Sequence, residues 1–233
     1  MSSKVLHTLP VMPTAHATLG QTLPQRHTSL VGLSGAMKRA IDVLGASLGL
    51  LLLAPLFLVL VIAIKLDSPG PALFRQRRVG LDGREFEMYK FRSMSMDAEA
   101  RKGELLALNE VKDGPIFKMR HDPRITRVGR FIRRTSLDEF PQLLNILMGQ
   151  MSLVGPRPPL PSEVLAYTSE QRQRLMVLPG ATGLWQVSGR SDLGSFHAMV
   201  ALDLAYMNKW SLWLDLKILI KTIGVVLRME GAC

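Results

Sequence analysis

Cysteine is almost absent. The only one among 233 residues is Cys233, the last, so no disulfide scaffold can hold the chain. Acids are scarce beside bases: 19 Asp plus Glu against 29 Lys plus Arg, a formal net charge of +10. Asp-x-Asp does not occur, so the usual metal-binding signature of soluble nucleotide-sugar glycosyltransferases is missing. Neither G-x-G-x-x-G, nor a P-loop lysine motif, nor H-E-x-x-H is present. The five histidines are scattered: His7, His16 and His27 fall in the first 36 residues, and His121 and His197 read as structural or solvent-exposed, so a zinc site is not expected. With 47% hydrophobic residues the chain is too apolar for global disorder and long enough for a real core. The basic excess suits nucleic acid, anionic lipid or phosphorylated substrates, and composition does not choose among them.

What is present divides into three stretches. Residues 1–36 carry Lys4 and Arg26, no acid, three prolines and many Ser and Thr, and they read as a disordered tail without the apolar centre of a signal peptide. From Val43 to Ile64 there are 22 residues without a charge. A straight helix of that length, at ~1.5 Å per residue, spans the ~30 Å hydrocarbon core of a bilayer. Pro55 interrupts the run and predicts a break, because it removes an amide and disfavours helical geometry at Ala54. Lys38 and Arg39 flank one side, and Lys65, Arg75, Arg77 and Arg78 the other. The positive-inside bias wants both flanks on the cytoplasmic face, which a re-entrant hairpin over 37–66, broken at Pro55, satisfies. Charge alone leaves a tilted, proline-kinked span open. Gly45 and Gly49 form a weak G-x-x-x-G signal for close helix contact.

Residues 67–233 read as a mixed α/β, α-rich part. Ser68-Pro69-Gly70-Pro71 stops the helix, and 72–93 reads as a hairpin turning at Gly80-Leu81-Asp82-Gly83. From Arg75 to Arg134 there are 16 basic and 9 acidic residues, a basic face beside the apolar segment. Helices are expected over 97–108, 126–134, 138–148 and 162–175, with irregular chain over 109–124, 155–159 and 179–190. Residues 196–228 read as amphipathic helix. Trp210 and Trp213 near Lys209, Lys217 and Lys221 suit a membrane interface, and packing on a core is the alternative.

Thr135-Ser136-Leu137-Asp138-Glu139 can be read in two ways. Ser-x-x-Glu is a capping-box pattern, in which Ser136 caps and Glu139 answers it. Pro141 would then sit where its missing amide is needed; a start nearer Asp138 suits it better. That start places two carboxylates at a positive helix end beside Arg133 and Arg134, a setting for a nucleophile toward phosphorus.

Several motifs occur in a distinctive order: the basic-flanked apolar helix, Tyr89-Lys90-Phe91-Arg92-Ser93-Met94, Ser136-Leu137-Asp138-Glu139, Met151-Ser152-Leu153-Val154-Gly155-Pro156-Arg157-Pro158, Pro179-Gly180 through Trp185-Gln186 to Gly189-Arg190, and Trp210-Ser211-Leu212-Trp213-Leu214-Asp215. Over roughly Lys38 to Arg228 the chain resembles the bacterial sugar transferase family, the monotopic phosphoglycosyl transferases that act on polyprenyl phosphate, in its short form. The resemblance implies a cytosolic catalytic part held by a re-entrant membrane helix and interfacial amphipathic helices on the bacterial inner membrane. It also implies transfer of a sugar-1-phosphate from a UDP-sugar to undecaprenyl phosphate with release of UMP, a first step of exopolysaccharide or other surface-glycan assembly. By similarity Asp138 is the nucleophile of a covalent phosphosugar-aspartate, and Glu139 acts with it and holds Mg²⁺. Lys90, Arg133 and Arg157 match positions associated with phosphate, with Arg190 a weaker match, and the family leaves room for a homodimer. Leu178 departs from the basic residue that often precedes Pro-Gly. The rival is a non-catalytic basic membrane adaptor for a polysaccharide-synthesis complex, in which Asp138 and Glu139 are only a cap. A nucleic-acid partner is not expected, since that reading makes no use of the apolar run.

Overall fold

Helix α1 runs from Leu33 to Asp67 in the computed structural model, which describes residues 32–111, 113–119, 121–189 and 195–228. The tail expected over 1–36 therefore lies outside the described residues up to Val31, and the helix starts inside its last few positions. The expected break at Pro55 does not occur: helical backbone continues through it. Packing on both sides supplies the reason. Ala46 is buried before the proline, and Leu60 and Ile64 after it, with Leu56, Phe57 and Val61 packed beside them. Tertiary contacts of this kind hold a turn that has lost one hydrogen bond. The segment over 37–66 is thus continuous in its secondary structure. Its other side is bare: only 11% of its most apolar 18-residue window is buried, and Leu44, Leu48, Leu51, Leu58 and Ile62 face outward. The helix is compatible with membrane insertion by length and composition.

The covered stripe of α1 lies on the rest of the chain. Polar residues fix its N-terminal turns. Lys38 Nζ donates to Asp215 (2.6 Å) and to the Val154 carbonyl (3.0 Å). Arg39 donates to the carbonyls of Ile146 and Leu147, and Asp42 accepts from Ser152 Oγ and the Leu153 amide. Gly45 and Gly49 serve this same docking: an added Cβ would meet Leu153 Cδ1 at 2.8 Å and Leu143 Cδ1 at 2.9 Å. The small residues make room for the chain's own side chains. At the other end Asp67 accepts from the Val128 amide, and Arg92 donates to Ser68.

After the Pro-Gly-Pro turn, β1 (Leu73–Val79) and β2 (Glu85–Phe91) form the expected antiparallel hairpin, in register from Leu73↔Phe91 to Val79↔Glu85. Asp82 (φ 55°) and Gly83 (φ 77°) turn it. The helix expected over 97–108 shrinks to α2 (Lys102–Leu105) and one 3-10 turn. Next come α3 (Arg127–Arg134) and α4 (Gln142–Leu147), separated by a 3-10 turn over Leu137–Glu139. A short parallel pair was not foreseen: β3 (Ser152–Val154) and β4 (Gly180–Thr182), the latter inside the stretch read as irregular. The helix expected over 162–175 is α5 (Pro161–Leu165), α6 (Ser169–Arg172) and a 3-10 turn.

The C-terminal region divides. Helix α7 (Phe196–Asn208) is a core helix that buries Phe196, Met199, Val200, Tyr206 and Met207. Helix α8 (Leu212–Arg228) carries the amphipathic character, with Trp213, Leu216, Ile220, Ile223 and Leu227 exposed. The two tryptophans part at this junction. Trp210 donates to Asp215 and packs inward, whereas Trp213 is 62% exposed with Lys217 Nζ 5.4 Å from its ring centre.

Candidate active site

The adjacent carboxylates Asp138 and Glu139 are set by the 3-10 turn between α3 and α4. A 3-10 helix has ~3 residues per turn, so positions three apart share a face. Leu137 packs with Leu60, Ile64, Phe91 and Ile132, and Phe140 with Met88, Leu143 and Ile146. The two residues between them take the opposite face, on the cleft. Ser136 enters the turn in the left-handed region (φ 56°) and makes no side-chain cap, so the capping-box reading does not hold. Pro141 is accommodated because α4 begins only at Gln142, immediately after it. The dyad precedes α4 on its own turn and does not form the first turn of that helix.

The cleft measures about 840 Å³, within the size class of small-molecule sites. Lys90, Arg133, Asp138, Glu139 and Arg157 all line it, brought from β2, the end of α3, the 3-10 turn and the Pro-Arg-Pro segment. Lys90 Nζ donates to Glu139 Oε1 at 3.0 Å, and Asp138 is 7% exposed. Arg190 lies outside the described residues. Leu178 does not line the cleft, and His121 and His197 are exposed, as expected.

The sequence reading missed several contributors. Glu163 on α5 is buried and holds Arg157 in a two-pronged pair, Nη1 to Oε2 at 3.0 Å and Nη2 to Oε1 at 3.3 Å. Burial opposes charge on both groups. The attraction and the hydrogen bonds outweigh it, leaving Glu163 below the ordinary carboxylate range and Arg157 above the ordinary guanidinium value. Arg78, also buried, enters the cleft from β1; burial and then the like charge of Arg157 push its guanidinium down to about 9. The signal for Arg78 was available. Phe74, Gln76 and Arg78 alternate on one face of β1, and Lys90 lies opposite Phe74. Farther along, Asp122 and Arg124 form a buried pair at 2.6 Å under the cleft wall. The hydrogen bonds from Arg124 hold the Asp122 carboxyl below its usual range. Trp185 lines the cleft too, its indole N–H without an acceptor among the described residues.

Chemically, the arrangement offers two carboxylates beside several cations, above a hydrophobic floor shared with α1. Such a site can receive a phosphorylated ligand and present a carboxylate oxygen to phosphorus.

The family model described as bacterial sugar transferase matches residues 33–229. The galactosyl transferase CpsE of Streptococcus agalactiae is 51% identical over 195 residues, covering 84% of this chain and 43% of that protein. The exopolysaccharide production protein ExoY of Rhizobium meliloti is 40% identical over 213 residues, covering 90% and 94%. The UDP-glucose:undecaprenyl-phosphate glucose-1-phosphate transferase of Escherichia coli is 40% identical over 212 residues, covering 86% and 42%. The chain thus spans less than half the length of some of these relatives and nearly all of ExoY.

Proposed function

The chain belongs to the bacterial sugar transferase family, and from that premise and the cleft we propose that it moves a sugar-1-phosphate from a UDP-sugar to undecaprenyl phosphate. The reading carries over what the names of its relatives say of them, including exopolysaccharide production for ExoY. The observation that carries it is the meeting of Asp138, Glu139, Lys90, Arg133 and Arg157 in one cleft, with Leu137 packed on the apolar helix directly beneath.

Asp138 attacks the phosphorus that bears the sugar. A bond forms between its carboxylate oxygen and that phosphorus as the bond to the bridging oxygen of the diphosphate breaks, and UMP leaves with the electron pair. The phosphate oxygen of undecaprenyl phosphate then attacks the same phosphorus and restores the free carboxylate. Lys90, Arg133 and Arg157 offset charge on the phosphoryl oxygens throughout. Two displacements at one carboxylate give ping-pong kinetics.

Magnesium is the expected cofactor. Among the described residues no three His, Cys, Asp or Glu side chains converge on one point. Magnesium does not require that; it commonly takes one or two carboxylates and completes its shell with substrate phosphate and water. Glu139, a cleft carboxylate beside Asp138, fits that demand. A bound Mg²⁺ would supply Lewis-acid charge at the diphosphate.

The outward apolar sides of α1 and α8 support residence in a bilayer, with the cleft on the cytoplasmic face of the inner membrane. Both ends of α1 are bonded to the same body, which favours both ends facing one aqueous compartment. The lipid acceptor then need not leave the bilayer, where each buried CH₂ is worth ~0.8 kcal/mol. Incubation with labelled donor and no acceptor should leave label on the protein, and Asp138→Asn should abolish both label and transfer. Full transfer by the Asn variant would remove Asp138 from its role.

A further inference from the structure

The hairpin leaves one of its edges open. Strands β1 and β2 form a two-stranded sheet, so among the described residues the far side of β2 has no strand to take its backbone groups. A side chain takes that place. Asn145 Oδ1 accepts from the Tyr89 amide at 3.0 Å, and Asn145 Nδ2 donates to the Glu87 carbonyl at 2.6 Å. One carboxamide thus bonds two residues of the strand, as a neighbouring peptide would. The same Nδ2 donates to Gln150 Oε1 at 2.7 Å, and the Asn145 carbonyl accepts from the Gln150 and Met151 amides. Asn145 is fully buried, and its neighbours on α4, Leu143 and Ile146, share an apolar cluster with Met88 and Met151. A buried amide is tolerated in such a place when its bonds are made, and here its oxygen and both N–H groups have partners.

The segments joined at Asn145 are those that carry the site. Tyr89 immediately precedes Lys90 on β2. Asn145 itself lies on α4, which follows the Asp138-Glu139 turn across Phe140 and Pro141. Gln150 and Met151 lead into β3 and on to Arg157. Lys90 Nζ meets Glu139 Oε1 at 3.0 Å between the first two of these segments. A lysine side chain is a flexible stem with a point charge at its end, so backbone spacing decides where that charge rests. On one side of β2 the ladder to β1 holds Lys90 opposite Phe74. On the other side the carboxamide of Asn145 fastens the strand one residue before it.

We propose that Asn145 is a positioning residue for the transfer: by fastening β2 to α4 it sets the spacing of Lys90 and Glu139, and with it the place of the ammonium beside the Asp138 carboxylate. This deepens the transferase reading and rests on it for the chemistry, though not for the spacing. Asn145 touches neither substrate nor reacting atoms and acts through Lys90. A side chain without the amide would leave the Tyr89 amide and the Glu87 carbonyl unpaired at a buried edge, and the strand would shift to satisfy them.

The test reads Lys90 directly as well as through activity. Full-length wild type, Asn145→Ala and Gln150→Ala are prepared in nanodiscs. Gln150→Ala removes only the brace on Asn145 and is the milder change. Well below the melting temperature each is treated with sulfo-N-hydroxysuccinimidyl acetate, and acetylation of Lys90 and Lys38 is followed by peptide mass spectrometry. Lys38, bonded to Asp215 away from the cleft, reports on the fold as a whole. In Asn145→Ala the acetylation rate of Lys90 should rise about fivefold, the size expected when a partly exposed ion pair opens, with Lys38 unchanged. Capture of label from saturating UDP-sugar without acceptor should slow about tenfold or more, as for a charge misplaced by around 1 Å. Gln150→Ala should move both in the same direction and less. Wild-type acetylation of Lys90 in folded Asn145→Ala overturns the proposal, as does raised acetylation with capture at the wild-type rate. Lys38 and Lys90 rising together make Asn145 a structural strut, and the proposal is again overturned. If Asn145→Ala does not fold, Gln150→Ala decides: faster Lys90 acetylation with slower capture supports the proposal, and both unchanged overturns it. Wild type that neither captures label nor releases UMP defeats the transferase reading itself, while the acetylation of Lys90 still reads the spacing.

Discussion

At the scale of single residues, legibility followed locality. Asp138 and Glu139 are neighbours in sequence, and Arg133 precedes them by one turn, so the pattern offered them as a candidate beside a capping alternative, and the family resemblance supplied their roles. Glu163 and Arg78 are 85 residues apart and meet only because α5 packs on β1. No local spacing announces a pair of that sort. The Arg157–Glu163 pair permits a prediction. Glu163→Gln keeps the shape and removes the charge, leaving Arg157 with Arg78 beside it. Arg157 is 21% exposed to the cleft, so the cost falls at or below the low end for a broken buried pair, about 2–3 kcal/mol, read as a lower melting temperature. Transfer should fall with it, because Arg157 loses its fixed orientation. The pH dependence has a definite sign. Glu163 is buried but lowered by Arg157, Asp122 is lowered by Arg124, and Asp113 is lowered by Ser195 and the start of α7. For a lowered carboxylate the folded state binds the proton more weakly, so its stabilisation is present above the unfolded pKa and lost as pH falls toward the folded one. Melting temperature should hold from pH 7 to about 5 and drop below about 4, the ordinary carboxylate range. The drop should be shallower in Glu163→Gln; an equal slope would take Glu163 out of that linkage.

Elements were read well where periodicity and punctuation agreed. The hairpin over β1 and β2 showed its alternation and its Gly-Leu-Asp-Gly turn, and α3 fills the helix expected over 126–134, whereas α4 starts four residues later than expected. The β3–β4 pair is three residues a side and parallel, too short for alternation to register, and its partners lie far apart in sequence. Pro55 was read by a rule for isolated helices, and contacts on either side overrode it. Glycine shows the same dependence on neighbours. A Cβ on Gly129 in α3 would sit 1.9 Å from the Ser93 carbonyl oxygen and 2.7 Å from its carbon, both backbone. At Gly45 the nearest atom is the movable tip of Leu153. Gly129→Ala should therefore cost about 3 kcal/mol or more and Gly45→Ala about 1 kcal/mol, since overpacking is expensive where nothing can yield. Because α3 delivers Arg133 and leads directly into Asp138, Gly129→Ala should also depress transfer more than its loss of melting temperature explains. Equal melting temperatures for the two variants would refute this ordering.

Over the whole molecule, the sequence displayed an apolar helix between basic flanks, and the structure shows that the flanks have different employment. Lys38 and Arg39 are not spread toward head groups; they are bonded to Asp215 and to backbone carbonyls of the body. Their charge counts less toward a positive-inside rule than toward docking. The docking itself constrains the bilayer. A free span is surrounded by lipid along ~30 Å, whereas α1 is covered by the body at Asp42 and Ala46 and again at Leu60 and Ile64. The segments that hold its start, β3 and α8, and those that hold its end, β2 and α3, belong to one continuous body with polar groups on its outside. Placing that body on both sides of a membrane would drag buried ion pairs such as Lys38–Asp215 through hydrocarbon, at several kcal/mol for each ion. Both ends of α1 should therefore meet the same aqueous compartment. In a Cys233→Ser background, Ser34→Cys in the first turn of the helix and Arg84→Cys in the hairpin turn should react with a membrane-impermeant maleimide from the same side. In sealed right-side-out vesicles neither should label until the membrane is opened. Labelling of Ser34→Cys alone in intact vesicles would mean that the helix crosses, and the docked stripe along α1 would then have to come apart in the bilayer.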